Sequence, residues 1–333
     1  MSQHYLVTGG GGFIGSHIVR YLLKKGHRVR VLDNFSTGNR NNLAEVIEKI
    51  ELIEGDFRRE DDCNLAVKNI DYIVHLGALP SVPRSIANPM LSTDINVTGT
   101  VTLLQAAYRN QVKRLVCASS SSVYGDSPEF PRREDQVPQP LSPYAVSKLT
   151  CEYFLKCFYR LHGLETVALR FFNVFGPRQD PNSQYAAVIP RFIEAVLHDR
   201  PPIVHGDGEQ SRDFTFIEDL LEGIYKACHA EAAVGEVINM ACGRRISLND
   251  LLDMLRDLSG KTITPEHTPP RAGDVRDSIA DITKAKNLLG YQPGYSMLDG
   301  LTKTFQWYQS QMPKNGNLNK KNVIETSTAH VTL

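Results

Sequence analysis

The sequence predicts an α/β fold, a doubly wound parallel sheet accompanied by a smaller α/β C-terminal domain. Three observations carry that expectation. Short runs rich in β-branched and aromatic residues recur through the first half, helical patterns fill most of the gaps between them, and a glycine cluster directly follows the first run. Strands that alternate with helices pair in parallel, with the helices covering both faces of the sheet. Such a sheet collects ligands at the carboxyl ends of its strands.

The strands are read in order at "HYLVT" (4–8), "RVRVLD" (28–33), "IELIEG" (50–55), "DYIVHL" (71–76), "RLVCAS" (114–119) and "TVALRF" (166–171). Helical patterns at 13–25, 92–109 and 143–161 lie between them. After about Phe172 the regularity breaks at turn-rich "GPRQDPNSQ" and later at "PEHTPPRAGD". Helices return at 188–198, 216–229 and 247–259. The last starts at Ser247 as N-cap, sets Leu248, Leu251, Leu252 and Leu255 at helical spacing and stops before Gly260. "EVINMA" (236–241) suits a further strand of the main sheet. The division expected is 1–172 plus about 214–241 as a dinucleotide-binding domain, and about 173–213 with 242–311 as a substrate domain. Residues 312–333 lack apolar periodicity and read as a disordered tail.

Lys plus Arg equals Asp plus Glu at 37 each, so no net charge recommends nucleic acid or an anionic membrane as partner. "MSQHYLVTGG" has neither the basic segment nor the apolar run of a secretion signal, and no stretch approaches membrane-spanning length, which points to a cytoplasmic protein. Cys63, Cys117, Cys151, Cys157, Cys228 and Cys242 form no C-x-x-C pair and no Cys/His cluster. They read as reduced packing cysteines, and no metal site is expected.

Chemistry first shows in "TGGGGFIGS", where Gly9, Gly12 and Gly15 stand three apart between a strand and an amphipathic helix. Glycines allow a tight turn and close backbone approach, and the helix N-terminus presents free N–H groups to a pyrophosphate. Asp33, ending the second strand, can accept from the adenosine ribose hydroxyls and would repel a 2′-phosphate. That combination predicts NAD rather than NADP. In "SPYAVSK" (142–148), Tyr144 and Lys148 share one helix face at i and i+4. Taken alone they suit a surface pair or a phenol whose proton is loosened by an ammonium. A free tyrosine titrates near about 10 and is a poor base at neutral pH without such help.

G-x-x-G-x-x-G, "GD" at 55–56, "HLGA" at 75–78, the serines at 119–122 and Y-x-x-x-K occur here in family order. From the N-terminus to about residue 310 the chain resembles the extended short-chain dehydrogenase/reductase superfamily. Within it, the chain is most similar to the NAD-dependent epimerase/dehydratase family in its UDP-glucose/UDP-N-acetylglucosamine 4-epimerase branch. The resemblance implies a Rossmann-like NAD domain with further cofactor contacts at Phe13, Ile14, Asn34, Asp56, Phe57, Leu76, Tyr144 and Lys148. It gives Asp56 the adenine amino group, although the residue alone could be a plain turn aspartate. It also implies a catalytic set of Ser120 (four before Tyr124 of "YG"), Tyr144 and Lys148. Tyr144 would take the hydroxyl proton of the sugar, Lys148 would support the phenolate and hold the nicotinamide ribose, and Ser120 would bond the sugar hydroxyl.

Dehydratases of the family carry Asp-Glu where Ser121-Ser122 stand, and decarboxylating relatives keep the Glu. A serine hydroxyl does not ionise usefully near neutral pH and cannot replace that carboxyl group. What the resemblance then implies is reversible oxidation at C4 through a transient 4-keto sugar. Asn173 would bond the diphosphate of a UDP-sugar, Val188 would lie on the nucleotide-binding segment, Arg212 and Arg271 would clamp the diphosphate, and Asp274 would take the ribose. As isolated residues both arginines suit a solvated surface. Ser278 corresponds to a position beside the sugar where a tyrosine restricts N-acetylated substrates; alone it is a turn serine. The substrates implied are UDP-GlcNAc/UDP-GalNAc together with UDP-Glc/UDP-Gal. UDP-glucuronate is the alternative, and a non-catalytic NAD-binding sensor or scaffold is a second. A homodimer through helices near 92–109 and 143–161 is also implied, with Leu149, Tyr153 and Phe154 available for contact or equally for the intramolecular core.

Overall fold

The computed structural model describes residues 2–181, 187–270 and 276–312. The tail expected from 312 onward therefore lies, beyond Met312, outside the described residues. Strands β1 (His4–Thr8), β2 (Arg28–Asp33), β3 (Glu51–Glu54), β4 (Tyr72–His75), β5 (Arg114–Ser120), β6 (Glu165–Phe171) and β7 (Val237–Met240) form one sheet. Its order is β7-β6-β5-β4-β1-β2-β3, and every pairing is parallel. The chain builds outward from β1 to β3, then returns to the other side of β1 with β4. The order therefore reverses between β1 and β4, and a crevice opens there beyond the carboxyl ends.

The helices are α1 (Phe13–Lys24), α2 (Glu60–Ala66), α3 (Val82–Ala87), α4 (Pro89–Thr93), α5 (Gly99–Arg109), α6 (Pro143–His162), α7 (Val188–Leu197), α8 (Ile217–His229), α9 (Leu248–Ser259), α10 (Thr283–Leu289) and α11 (Met297–Gln311). Alternation along the strands divides the core in two. Tyr5, Val7, Val31 and Val74 pack with Ile18, Val19 and Leu22 of α1 and Leu220 and Ile224 of α8. Leu6, Leu32, Ile73 and Leu115 face the other way, against Cys63, Ala66, Leu103, Leu104 and Leu155. Both faces are covered, so β1 is buried along its whole length, which accounts for the consecutive Tyr5, Leu6 and Val7 at its centre.

The helix expected over 92–109 begins earlier, at Pro89, and widens into a π turn over Asp94–Thr98. That turn directs Asn96 inward, where its side chain accepts from Leu79 N at 2.7 Å and donates to Ser147 Oγ at 3.0 Å. π turns of this kind recur at functional sites. Ser247 caps α9 through a capping box with Asp250, as its position predicts. α11 has the same device in Ser296 and Asp299. Outside the main sheet the described strands pair only in twos, Val174–Phe175 with Thr215–Phe216, Ser211–Arg212 with Ile246–Ser247, and Ile203–His205 with Glu266–Thr268.

Below the crevice a buried chain of polar groups ties the glycine turn to the π turn. Thr100 Oγ1 donates to Asn96 O at 2.5 Å, so it accepts from His75 Nε2 at 2.9 Å. That leaves His75 Nδ1 to accept from Thr8 Oγ1 at 2.6 Å, and Thr8 Oγ1 in turn accepts from Gly77 N at 3.2 Å. This pattern needs a neutral imidazole. Burial, with the Lys148 charge assisting, pushes the His75 pKa down to about 3. The folded pKa lies below the unfolded value, so the unfolded chain binds the extra proton. The contribution is complete above about pH 6.5 and is lost as pH falls toward about 3, at up to about 1.4 kcal/mol per pH unit. We predict that urea midpoints measured from pH 7 to pH 5 fall less steeply in His75→Gln than in the wild type. Equal slopes would show that His75 is not a proton-linked group of the fold.

Candidate active site

The turn joining β1 to α1 forms one wall of the crevice. Gly9 has φ +71°, and a Cβ placed there would sit 2.8 Å from Gly77 N. At Gly15 a Cβ would lie 2.0 Å from Gly9 O, so neither position accepts a side chain. Gly12 caps α1 without a side-chain bond, which leaves the first-turn N–H groups of the helix for a ligand. Asp33 closes the rim: its Oδ2 accepts from Gly11 N at 2.8 Å and its Oδ1 from Phe35 N at 2.7 Å. The carboxylate is fixed at the end of β2 and keeps acceptor capacity for hydroxyl donors.

These residues line a cleft of about 1920 Å³ together with Phe13, Ile14, Asn34, Asp56, Phe57, Leu76, Ser120, Tyr144, Lys148 and Asn173. Every cofactor and catalytic position expected from the sequence thus borders one space. Asp56 is already engaged. It accepts from Arg58 Nη2 at 2.6 Å and Asn34 Nδ2 at 3.0 Å, and its carboxyl is held below the usual range, foremost by the hydrogen bond from Arg58. Arg58 reaches on to Asp94 at 2.7 Å, joining the Asp56 end of the cleft to the π turn. The cradle fits a dinucleotide: a side-chain-free turn at a helix N-terminus, followed by a carboxylate fixed at the end of the next strand.

The opposite wall comes from β5 and α6. Ser142 caps α6 by accepting from Ala145 N, and Pro143 stands at its first position, so Tyr144 and Lys148 leave the first turns toward the cleft. Lys148 is almost wholly buried and donates to Ala118 O at 2.9 Å, with its ammonium 6.0 Å from the Tyr144 ring centre. Burial opposes its charge, yet the fields of Tyr144, Cys117, Cys151 and Glu152 outweigh that and hold its pKa above the ordinary lysine value. Ser120, at the end of β5, accepts from Ser122 N at 3.2 Å and from Ser122 Oγ at 2.9 Å, so its own proton remains free to donate. Its neighbour Ser119 donates to buried Glu152 at 2.5 Å. Ser119, Ser120 and Ser122 all border the cleft, but the hydroxyl of Ser119 is committed to Glu152 and that of Ser122 to Ser120, which leaves Ser120 with a proton to donate.

Asn173 (φ +30°) also borders an adjoining cavity of about 220 Å³, lined by Val188, Arg212, His205, Gln210, Phe192 and Phe214 among others. Several lining residues not singled out from the sequence are in this wall. Phe192 follows Val188 at i+4, which was the available signal. Arg212 Nη1 donates to Ser211 O and Arg276 O. Ser278 lines neither cavity; its backbone N donates to Ser211 O at 3.1 Å, along the segment that carries Arg212. Arg271 and Asp274 lie outside the described residues. Of the expected contact residues, Tyr153 is 59% exposed, whereas Leu149 packs with Val123, Tyr124 and Phe172, and Phe154 packs on the core beneath α6. Among the described residues no His, Cys, Asp or Glu cluster is placed to hold a metal ion, and no helix is long and apolar enough to cross a membrane.

Residues 5–241 match the NAD dependent epimerase/dehydratase family. The chain is 37% identical over 310 residues to the UDP-glucose 4-epimerase of Mycolicibacterium smegmatis, covering 92% of this chain and 98% of the relative. It is 35% identical over 316 residues to the UDP-glucuronate 4-epimerase of Thermodesulfobacterium geofontis, covering 91% and 95%. Among solved structures, a UDP-N-acetylglucosamine 4-epimerase from Methanobrevibacter ruminantium in complex with UDP-N-acetylmuramic acid is similar at a TM-score of 0.90 and 39% identity. That match covers 93% of this chain and 99% of the other.

The geometry yields two predictions. Tyr144→Phe should leave NAD affinity unchanged and lower turnover by about 10²–10⁴-fold, the range for loss of a positioned base. Retained turnover would remove Tyr144 from the chemistry. Asp33→Ala should weaken NAD and narrow its advantage over NADP in equilibrium titrations, and an unchanged ratio would place the ribose elsewhere.

Proposed function

The chain belongs to the NAD dependent epimerase/dehydratase family and is an epimerase of UDP-sugars; we propose that it inverts C4 of UDP-GlcNAc/UDP-GalNAc and also accepts UDP-Glc/UDP-Gal. The observation that carries this reading is the joining of Ser120, Tyr144 and Lys148 to the glycine cradle in one cleft, with serines at 121 and 122. The glycine turn, Asp33 and Lys148 would hold NAD, which when bound would supply reversible hydride transfer at C4.

Tyr144 removes the proton from the C4 hydroxyl and gives it back. Lys148, charged and fixed on Ala118 O, supports the phenolate before the proton is taken and again after it is given back. Ser120 donates to the sugar oxygen through the proton that Ser122 leaves free. Ser121 and Ser122 offer no carboxyl group to drive elimination or decarboxylation, so the keto sugar can only be reduced again. The diphosphate reaches Asn173 and Arg212, while the uracil rests against Val188 and the apolar wall of the smaller cavity. The family resemblance adds Arg271 to the clamp and Asp274 to the ribose, both outside the described residues.

UDP-glucuronate is the second reading, favoured by likeness to a glucuronate 4-epimerase. A sensor or scaffold role would not need the complete Ser120–Tyr144–Lys148 set. Exposed Ile86, Met90, Val146 and Tyr153 on α3, α4 and α6 support association of two copies through that face.

The substrate test is kcat/KM on a panel of UDP-sugars, in wild type and in Ser278→Tyr. Ser278 itself borders neither cavity, so any exclusion must come from the added ring reaching past the adjoining Ser211–Arg212 segment. On that basis we predict that the substitution suppresses the N-acetylated pair and spares UDP-Glc/UDP-Gal, which carry only a hydroxyl at C2. Equal effects on both pairs would mean that Ser278 does not set acceptance of the acetamido group, and wild-type turnover confined to UDP-glucuronate would replace the first reading with the second.

A further inference from the structure

One buried cluster beside the catalytic set has no part in the reaction as described above. Ser119 on β5, Arg170 on β6 and Asn239 on β7 stand in one row across three neighbouring strands, paired Ser119 with Arg170 and Arg170 with Asn239. Glu152, one turn after Lys148 on α6, closes over that row. Its Oε1 accepts from Ser119 Oγ at 2.5 Å and from Arg170 Nε at 2.9 Å, and its Oε2 accepts from Arg170 Nη2 at 2.7 Å. Both side chains of the ion pair are at least 95% buried. The Arg170 guanidinium also lies 4.6 Å from the Tyr124 ring centre, and Tyr124 donates to Asn239 Oδ1 at 2.7 Å.

We propose that Glu152 is a positioning residue of the epimerase: its charge cancels Arg170 so that Lys148 alone sets the field at Tyr144, and its bond to Ser119 holds the end of β5 on α6. The proposal rests on Tyr144 being the base.

The mechanical half follows from adjacency. Ala118 O receives Lys148 while Ser119 Oγ reaches Glu152, so consecutive residues of β5 are stitched to consecutive turns of α6, and Ser120 comes next. The electrostatic half follows from counting the titratable groups packed around Lys148 and Arg170. From α6 come Lys148, Glu152 and the Cys151 thiol; from β5, Cys117; from β4, His75; from β6, Arg170; and beyond β7, Glu134, which accepts from Asn239 N at 2.7 Å. Burial keeps both thiols and His75 neutral, and pushes the Glu134 carboxyl up. Lys148 and Arg170 are the cations of this group, and Glu152 is the carboxylate that binds Arg170 directly. With two uncompensated cations the phenolate would be too stable to take a sugar proton readily, because a useful base has its pKa near the working pH.

The test uses the full chain with its NAD. Ultraviolet difference titration of tyrosinate against Tyr144→Phe isolates Tyr144 among the 13 tyrosines. In Glu152→Gln the anion one helical turn from Lys148 is lost, so the net positive field reaching the phenol rises and the Tyr144 midpoint should move down. The acid limb of kcat should follow by the same amount, with KM and NAD affinity unchanged, and Glu152→Asp should restore the midpoint. A role in stability alone would lower the unfolding midpoint and leave the titration where it was, which overturns the proposal. The titration does not depend on substrate, so absence of turnover with every UDP-sugar would count against the epimerase reading while Tyr144 still reported on Glu152. Should Glu152→Gln fail to fold because Arg170 is left unpaired, Ser119→Ala decides: a kcat lowered about tenfold at unchanged KM supports the proposal, and an unchanged kcat overturns it.

Discussion

Seven strands that run in one direction put all their carboxyl ends on a single edge, and the site depends on that alignment. β1 delivers the glycine turn, β2 delivers Asp33, β4 delivers the loop around Leu76 and Gly77, and β5 delivers Ser120. Groups far apart in the chain meet because each terminates a neighbouring strand. The reversal of order between β1 and β4 leaves the gap into which a dinucleotide fits. The helices return the chain to the start of the next strand and cover the two faces, so the apolar core and the catalytic edge arise from the same constraint.

Polar groups buried under that edge lock its parts together. His75 links Thr8, at the root of the glycine turn, with Thr100 and the π turn. Asn96 of that turn grips Leu79 on one side and Ser147, beside Lys148, on the other. The cofactor wall and the catalytic helix are thus connected by bonds whose donors and acceptors are matched in sequence, which a buried network requires if it is not to destabilise the fold. Lys148 belongs to the same arrangement. Its burial would discourage the charge, and only the surrounding carbonyl, carboxylate and phenol make an ammonium stable there.

Periodicity and end signals made the long elements legible. β1 to β7 were readable because each is a run of β-branched or aromatic residues between turn residues, and α1, α6, α8 and α9 because their apolar positions recur at helical spacing. α2, α3 and α10 are too short for a period to show, and the two-residue pairings outside the main sheet carry no pattern at all. The π turn was also invisible, since it depends on what Asn96 finds to bond on α6 and on the loop after β4. α11 was readable in principle: Ser296 and Asp299 form the same capping box as Ser247 and Asp250.

The site divided along similar lines. Gly9, Gly12, Gly15, Asp33, Tyr144 and Lys148 were within reach of the sequence, because a turn that excludes Cβ atoms, a carboxylate ending a strand and an i, i+4 pair are local features with local physical reasons. Choosing Ser120 over Ser119 from the residues alone was beyond such reasoning, and only the family spacing pointed to it. The structure supplies the reason: the hydroxyl of Ser119 is committed to Glu152, while Ser120 keeps a proton to donate. The Glu152–Arg170 pair, with its row of partners on β5, β6 and β7, was likewise decided only in three dimensions. Its members are scattered over 120 residues, and each alone is an ordinary polar side chain. Burial and strand register turn them into one charged unit, and neither leaves a trace in the order of the residues.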